Sequence, residues 1–140
     1  MEQMLVLAIT IPTLQPNEVF QTYRAAIRQN SAHALLNAAF RVTLSDGIIT
    51  EATIVYGLAQ DRAVFAKEAE EVLKGRPLDI ASLSMVLDAL DGFELIVERH
   101  YKTVYQPEGK ESYRRSLVHS FMYKFFLHLM GDKAPDSLAS

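Results

Sequence analysis

The sequence predicts an α+β fold, an antiparallel sheet of three to four strands packed against about three helices. Three observations carry that prediction. Ala38, Phe40, Val42 and Leu44 alternate with Asn37, Ala39, Arg41 and Thr43, the period of a strand with one buried face. Asp46-Gly47 comes at once after them, a pair that accepts the positive φ of a tight hairpin turn, and Ile48 to Tyr56 returns with many β-branched residues. Helical spacing then takes over and ends in "YRRSLVHSFMYKFFLHLM", Tyr113 to Met130, where two arginines precede a mostly large, apolar run. A solvated helix would not be written that way, so something must cover it.

Taken in order, the apolar run Met4 to Ile11 reads as a buried strand ending near Thr10, because Pro12 and Pro16 punctuate the residues beyond it. A second extended piece begins around Val19 and runs through "FQTYRAA" to the loop "RQNSAH". The hairpin comes next. Asp61 is a candidate N-cap for a first helix carrying Phe65, Ala69, Val72 and Leu73, which Gly75 and Pro77 stop. A second helix starts at Asp79 with Leu83, Val86, Leu87 and Leu90 on one stripe, and Gly92 ends or weakens it. After the loop "QPEGKES", Glu111 or Ser112 opens the third helix, which runs to about Met130. The expected organisation is one domain over 1–131 and a frayed tail over 132–140.

With 140 residues, 49% of them hydrophobic, the chain can bury a core without a metal or disulfide staple. A net charge of −3 with scattered basic residues argues against a nucleic-acid partner. The absence of cysteine rules out disulfides, thiolate-ligated clusters and a cysteine nucleophile on these residues, so any redox chemistry needs a bound cofactor. Glu2 stands where a signal peptide has its basic start, and neither apolar run reaches the roughly 20 residues of a membrane span. No membrane association and a cytoplasmic location are the expectation.

No GxGxxG, Walker A, GxSxG or HExxH sequence occurs. His119 and His128 are nine positions apart, which at about 100° per residue points them to opposite sides of a helix, so no metal site is expected. Asp88 with Asp91, and Glu68 with Glu70 and Glu71, read as solvated helix faces. Arg24 and Arg28 bracket "AAI" before a loop with Asn30, Ser31 and His33; either an arginine at the strand end binds an anionic group, or both simply charge a sheet edge. Arg114-Arg115 has the wrong sign for a helix start, which points to an acidic partner or a carbonyl-rich surface, with a structural ion pair preferred to a catalytic role.

"VFQTYRAAIRQNSAHALLNAAFRV", "YGLAQDRAVFAKEAEEVLKGR" and "YRRSLVHSFMYKFF" together resemble, in order and spacing, the C-terminal part of the FAD-binding domain of molybdenum hydroxylases. That family includes xanthine dehydrogenase, aldehyde oxidase and the flavoprotein of carbon monoxide dehydrogenase. The resemblance runs from about Leu5 to Leu129 and implies the same sheet-and-helix fold. It also implies FAD as cofactor, with this part closing over a flavin that passes substrate electrons to oxygen or NAD. Val6 and Arg24 stand, by resemblance, at flavin-contacting positions. The neutral loop Asn30 to His33 departs from the acidic loop of xanthine dehydrogenases and resembles the aldehyde-oxidase side. No glycine-rich N-terminal flavin subdomain is present in these residues, and molybdopterin and iron–sulfur clusters would belong to the parent enzyme. The implied partners are FAD and other domains or subunits of such an enzyme, with a homo-oligomer also open. No catalysis is expected of the chain by itself. The alternative is a stand-alone interaction or assembly module that kept the fold and lost the flavin.

Overall fold

The computed structural model describes residues 5–30, 32–60, 62–95 and 111–131. In chain order these form β1 (Glu18–Ala26), β2 (Ala34–Ser45), β3 (Ile48–Gly57), β4 (Val64–Phe65), α1 (Lys67–Leu73), β5 (Arg76–Pro77), α2 (Ile80–Asp91) and α3 (Glu111–Met130). The strands make one antiparallel sheet in the order β1-β2-β3-β4, and β5 pairs with the other end of β3. The expected α+β class holds, with two added strands of two residues each at the edge.

The hairpin obeys the alternation in the sequence. Leu36, Ala38, Phe40 and Val42 of β2 are buried, while Asn37 on the opposite face is exposed. Asp46 (φ 50°) and Gly47 (φ 77°) both occupy the left-handed region that a two-residue turn matching the strand twist demands. Thr22 pairs with Ala39 and Ala39 with Val55; Arg24 pairs with Asn37 and Asn37 with Gly57. These two rows recur in the candidate site.

The apolar face is covered by the helices. Leu117, Val118, Phe121, Met122, Phe125 and Phe126 of α3 are buried in one cluster with Phe40 and Tyr56. Phe40 lies 5.4 Å from both Tyr56 and Phe125, and Tyr23 stacks on Phe121 at 5.5 Å. The Tyr56 hydroxyl donates to the Val118 carbonyl at 2.8 Å, tying sheet to helix, and burial pushes its pKa far above the ordinary value. The apolar helix that raised the question of a cover is thus covered by its own sheet.

Four expectations need correction. Leu5–Ile11 forms no strand: Leu5, Val6, Leu7, Ile9 and Ile11 are all strongly exposed, because no sheet edge among the described residues lies beside them. The first helix starts at Lys67 and not after Asp61, which lies outside the described residues; Val64 and Phe65 first extend along β3, and Ala66 takes the N-cap position. Phe65 is exposed in that strand and carries Lys67 over its ring at 4.4 Å. Glu70 is 7% exposed and not solvated. It accepts the Ile54 backbone N–H at 2.9 Å and pairs with Lys67 at 2.8 Å, filling the edge of β3 between the short stretches that β4 and β5 cover.

The second helix behaves as its sequence implies. Asp79 accepts the Ser82 N–H at 2.8 Å as N-cap, and Gly92 closes the other end. The 96–110 and 132–140 segments, including the frayed tail and the "QPEGK" part of the expected loop "QPEGKES", lie outside the described residues, while Glu111 and Ser112 of that loop begin α3. No helix among the described residues is long and apolar enough to cross a membrane.

Candidate functional site

Antiparallel pleating sends alternate residues to opposite faces, so what the helices leave open is the outer face of β1, β2 and β3. At the end of that face where β1 finishes and β2 begins, Thr22, Arg24, Asn37, Ala39, Val55 and Gly57 line a cavity of about 380 Å³, joined by Tyr23, Ala38 and Ala63. That volume falls within the roughly 300–1,000 Å³ typical of ligand sites. The floor is made of small residues, alanines with Gly57 and Val55, so a flat group can come close to the sheet backbone. Polar groups stand above it.

Arg24 is exposed, and its guanidinium donates to the carbonyls of Gln29 (3.5 Å) and Ala32. The loop after β1 is therefore folded back onto the cation, which fixes the charge at the cavity mouth. Asn37 sits beside it on the central strand. A Cβ built on Gly57 would collide with Asn37 Oδ1, so the carboxamide lies flat in the space that glycine leaves.

Of the two residues singled out by resemblance, the structure puts Arg24 on this cavity and Val6 elsewhere. Val6 is 76% exposed on the irregular segment before β1 and lines no part of the cavity. Asn37 and Gly57 were not foreseen as site residues. Their signal was the single polar residue inside "LLNAAF" and the glycine at the end of β3, but the pairing of 37 with 57 appears only once the register is known.

The paired arginines of α3 have a different task. Arg114, 2% exposed, donates through Nε to the Leu35 carbonyl at 3.1 Å and through Nη2 to that of Leu58. Arg115 donates to the carbonyls of Asp91 (3.1 Å) and Phe93 (3.3 Å), at the C-terminal end of α2 where a cation is favoured. The carbonyl-rich surface was the better expectation; among the described residues both guanidinium groups are held by main-chain oxygens and not by carboxylates. His119 Nδ1 lies 3.1 Å from the Arg115 carbonyl, and its Nε2 is 3.0 Å from Asp91 Oδ1 but off the line of a hydrogen bond. His128 pairs with Gln21 at 3.1 Å. Each histidine thus links α3 to a neighbouring group, His119 half-buried and His128 exposed, and among the described residues no cluster of three His, Asp or Glu is placed to hold a metal ion.

Residues 21–129 match the family described as the CO dehydrogenase flavoprotein C-terminal domain. Xanthine dehydrogenase of Oryza sativa subsp. japonica is 30% identical over 129 residues, covering 89% of this chain and 9% of that protein. Aldehyde oxidase 1 of Bos taurus is 31% identical over 127 residues, again 89% and 9%. The chain thus spans about a tenth of the length of these relatives. Among solved structures, reconstituted CO dehydrogenase from Oligotropha carboxidovorans superposes with a TM-score of 0.62 at 20% identity, over 80% of this chain and 36% of that one. Quinoline 2-oxidoreductase from Pseudomonas putida 86 gives 0.60 at 22%, over 81% and 37%. At those identities the structures speak for the fold, whereas the family match and the sequence relatives speak for descent. The chain belongs to the CO dehydrogenase flavoprotein C-terminal domain family, the C-terminal part of the FAD domain in enzymes of the xanthine dehydrogenase, aldehyde oxidase and CO dehydrogenase type.

Proposed function

We propose that this chain closes over the isoalloxazine of an FAD with the outer face of its sheet, as part of a molybdenum hydroxylase of the aldehyde oxidase or xanthine dehydrogenase type. The observation that carries the reading is the cavity at Arg24: a small-residue floor for a planar ring, with a tethered cation at its mouth. The residues fit the group. A large apolar side chain in place of Ala39 or Gly57 would block it, and an acidic residue in place of Arg24 would repel a ring that gains negative charge on reduction.

Bound FAD would supply the chemistry of accepting substrate electrons and passing them to oxygen or NAD. The chain supplies position and charge. The Arg24 guanidinium is held in place by its two carbonyl partners, so it favours negative charge in the cavity without needing to reorganise. Gln29 and Ala32 make the loop and the cation move together. Val6 is a second proposed contact, reaching the flavin only if the segment before β1 folds over it. Other domains or subunits of the enzyme would complete the site and carry molybdopterin and iron–sulfur clusters, and the proposed setting is cytoplasmic.

The test is a titration of the 140-residue chain with FAD, monitored by flavin fluorescence, together with the flavin reduction potential of the assembled enzyme carrying Arg24→Ala. Saturable quenching and a lower potential in the variant, restored by Arg24→Lys, are expected. A folded chain that binds no FAD, or a potential that does not move, overturns the reading.

A further inference from the structure

Away from the cavity, two polar side chains of the sheet are engaged within the chain: Arg41 pairs with Glu18 at 3.7 Å, and the Thr50 hydroxyl donates to the Thr43 carbonyl at 3.1 Å. Asn37 differs. Its carboxamide makes no hydrogen bond to a described residue, although it can offer two donors and accept two more. It also lies close to the neighbouring strand, over Gly57, in the space that any Cβ there would fill. Glycine in a strand marks a close approach to the backbone, and here the approaching group is the amide itself.

The register sets its company. Arg24, Asn37 and Gly57 form one row across β1, β2 and β3, so the amide lies beside the tethered cation and over the small-residue floor. A guanidinium only donates, but a carboxamide presents a donor and an acceptor in one plane. That pair is complementary to one half of a –CO–NH–CO– edge on a planar ring.

We infer that Asn37 is a ligand-contacting residue of this cavity, and that its amide reads the imide edge of the bound ring. The inference rests on the flavin reading, and it adds specificity: flavins carry such an edge, and a ring lacking the imide N–H would be rejected. Gly57 is the residue that lays the amide in place.

The experiment compares FAD with N3-methylated FAD, whose imide N–H is blocked, on the purified chain. The wild-type chain is expected to bind FAD about tenfold more tightly than the methylated form, the factor one net hydrogen bond supplies. Asn37→Ala should bind the two within about twofold, at the weaker level, with an unchanged circular dichroism spectrum because the side chain is exposed. Gly57→Ala should do the same while keeping the asparagine, since its methyl displaces the amide. Equal binding of both flavins by the wild type, or full discrimination surviving in Asn37→Ala, overturns the inference and leaves the flavin reading standing. Binding of neither flavin removes the flavin reading and this inference with it.

Discussion

At Arg114 a positive charge is held in a nearly sealed position by carbonyl oxygens. Burial pulls its pKa below the ordinary arginine value, opposed by the charge of Glu111, and Nη1 has no partner among the described residues. What the guanidinium gains is reach: one planar fork spans Leu35, at the start of β2, and Leu58, just after β3. Leu58 is at φ 64°, a conformation that costs a leucine energy, and the arginine holds its carbonyl there. Arg114→Met would leave two buried acceptors without a donor and should destabilise the chain by about 2–4 kcal/mol in urea unfolding. Arg114→Lys should recover less than half of that, because one ammonium cannot bridge both. Full recovery by lysine would mean that charge and not the fork matters. The doubled arginine was legible in the sequence because its sign conflicts with the helix dipole, which points outward to carbonyls. Glu70 was not legible. Its burial depends on Ile54 lacking a strand partner on one side, and no local pattern reports that.

Where a cap and a stripe coincide, the element could be read from sequence. Asp79 opens α2 as expected, and its carboxyl pKa is held below the ordinary value chiefly by the backbone hydrogen bond from Ser82, helped by the Ser82 side chain. The folded state therefore prefers the ionised form, so the stabilisation is fully present above the ordinary carboxylate pKa of about 3.9 and fades as pH falls through the lower, folded value. The melting-temperature gap between wild type and Asp79→Ala should accordingly be largest near neutral pH and shrink below about pH 4; a constant gap would mean that the cap works without its charge. The first helix was misjudged for the converse reason. Its N-cap, Ala66, makes no side-chain hydrogen bond, and the residues before it are drawn into pairing with β3. The hairpin, α2 and α3 were set by local period and turn chemistry, whereas β4 and β5 exist through long-range pairing of two residues each, too short to leave a pattern.

At the scale of the molecule, the large apolar surface left exposed among the described residues is not that of α3, as its composition suggested, but the segment before β1. Leu5, Leu7, Ile9 and Ile11 are each more than 80% exposed. Such an apolar run without charge promotes association until something covers it. Ile9→Lys should reduce light scattering of concentrated protein and leave the melting temperature within about 1 °C, since a surface change of this kind alters stability by no more than about 0.5 kcal/mol. A clear drop in melting temperature would show that Ile9 packs against the core. The cavity at Arg24 needed the whole sheet to appear, because its row joins three strands whose residues are remote in sequence. That topology also has a consequence in time. The Asp46-Gly47 turn lets β2 and β3 zip together as soon as they exist, but the bond from Tyr56 to Val118 joins positions 62 apart in sequence. On a ribosome adding about 5–20 residues per second, the greasy side of the newborn hairpin waits roughly 3–12 s for its lid, an interval in which a chaperone has more to hold than at any later moment.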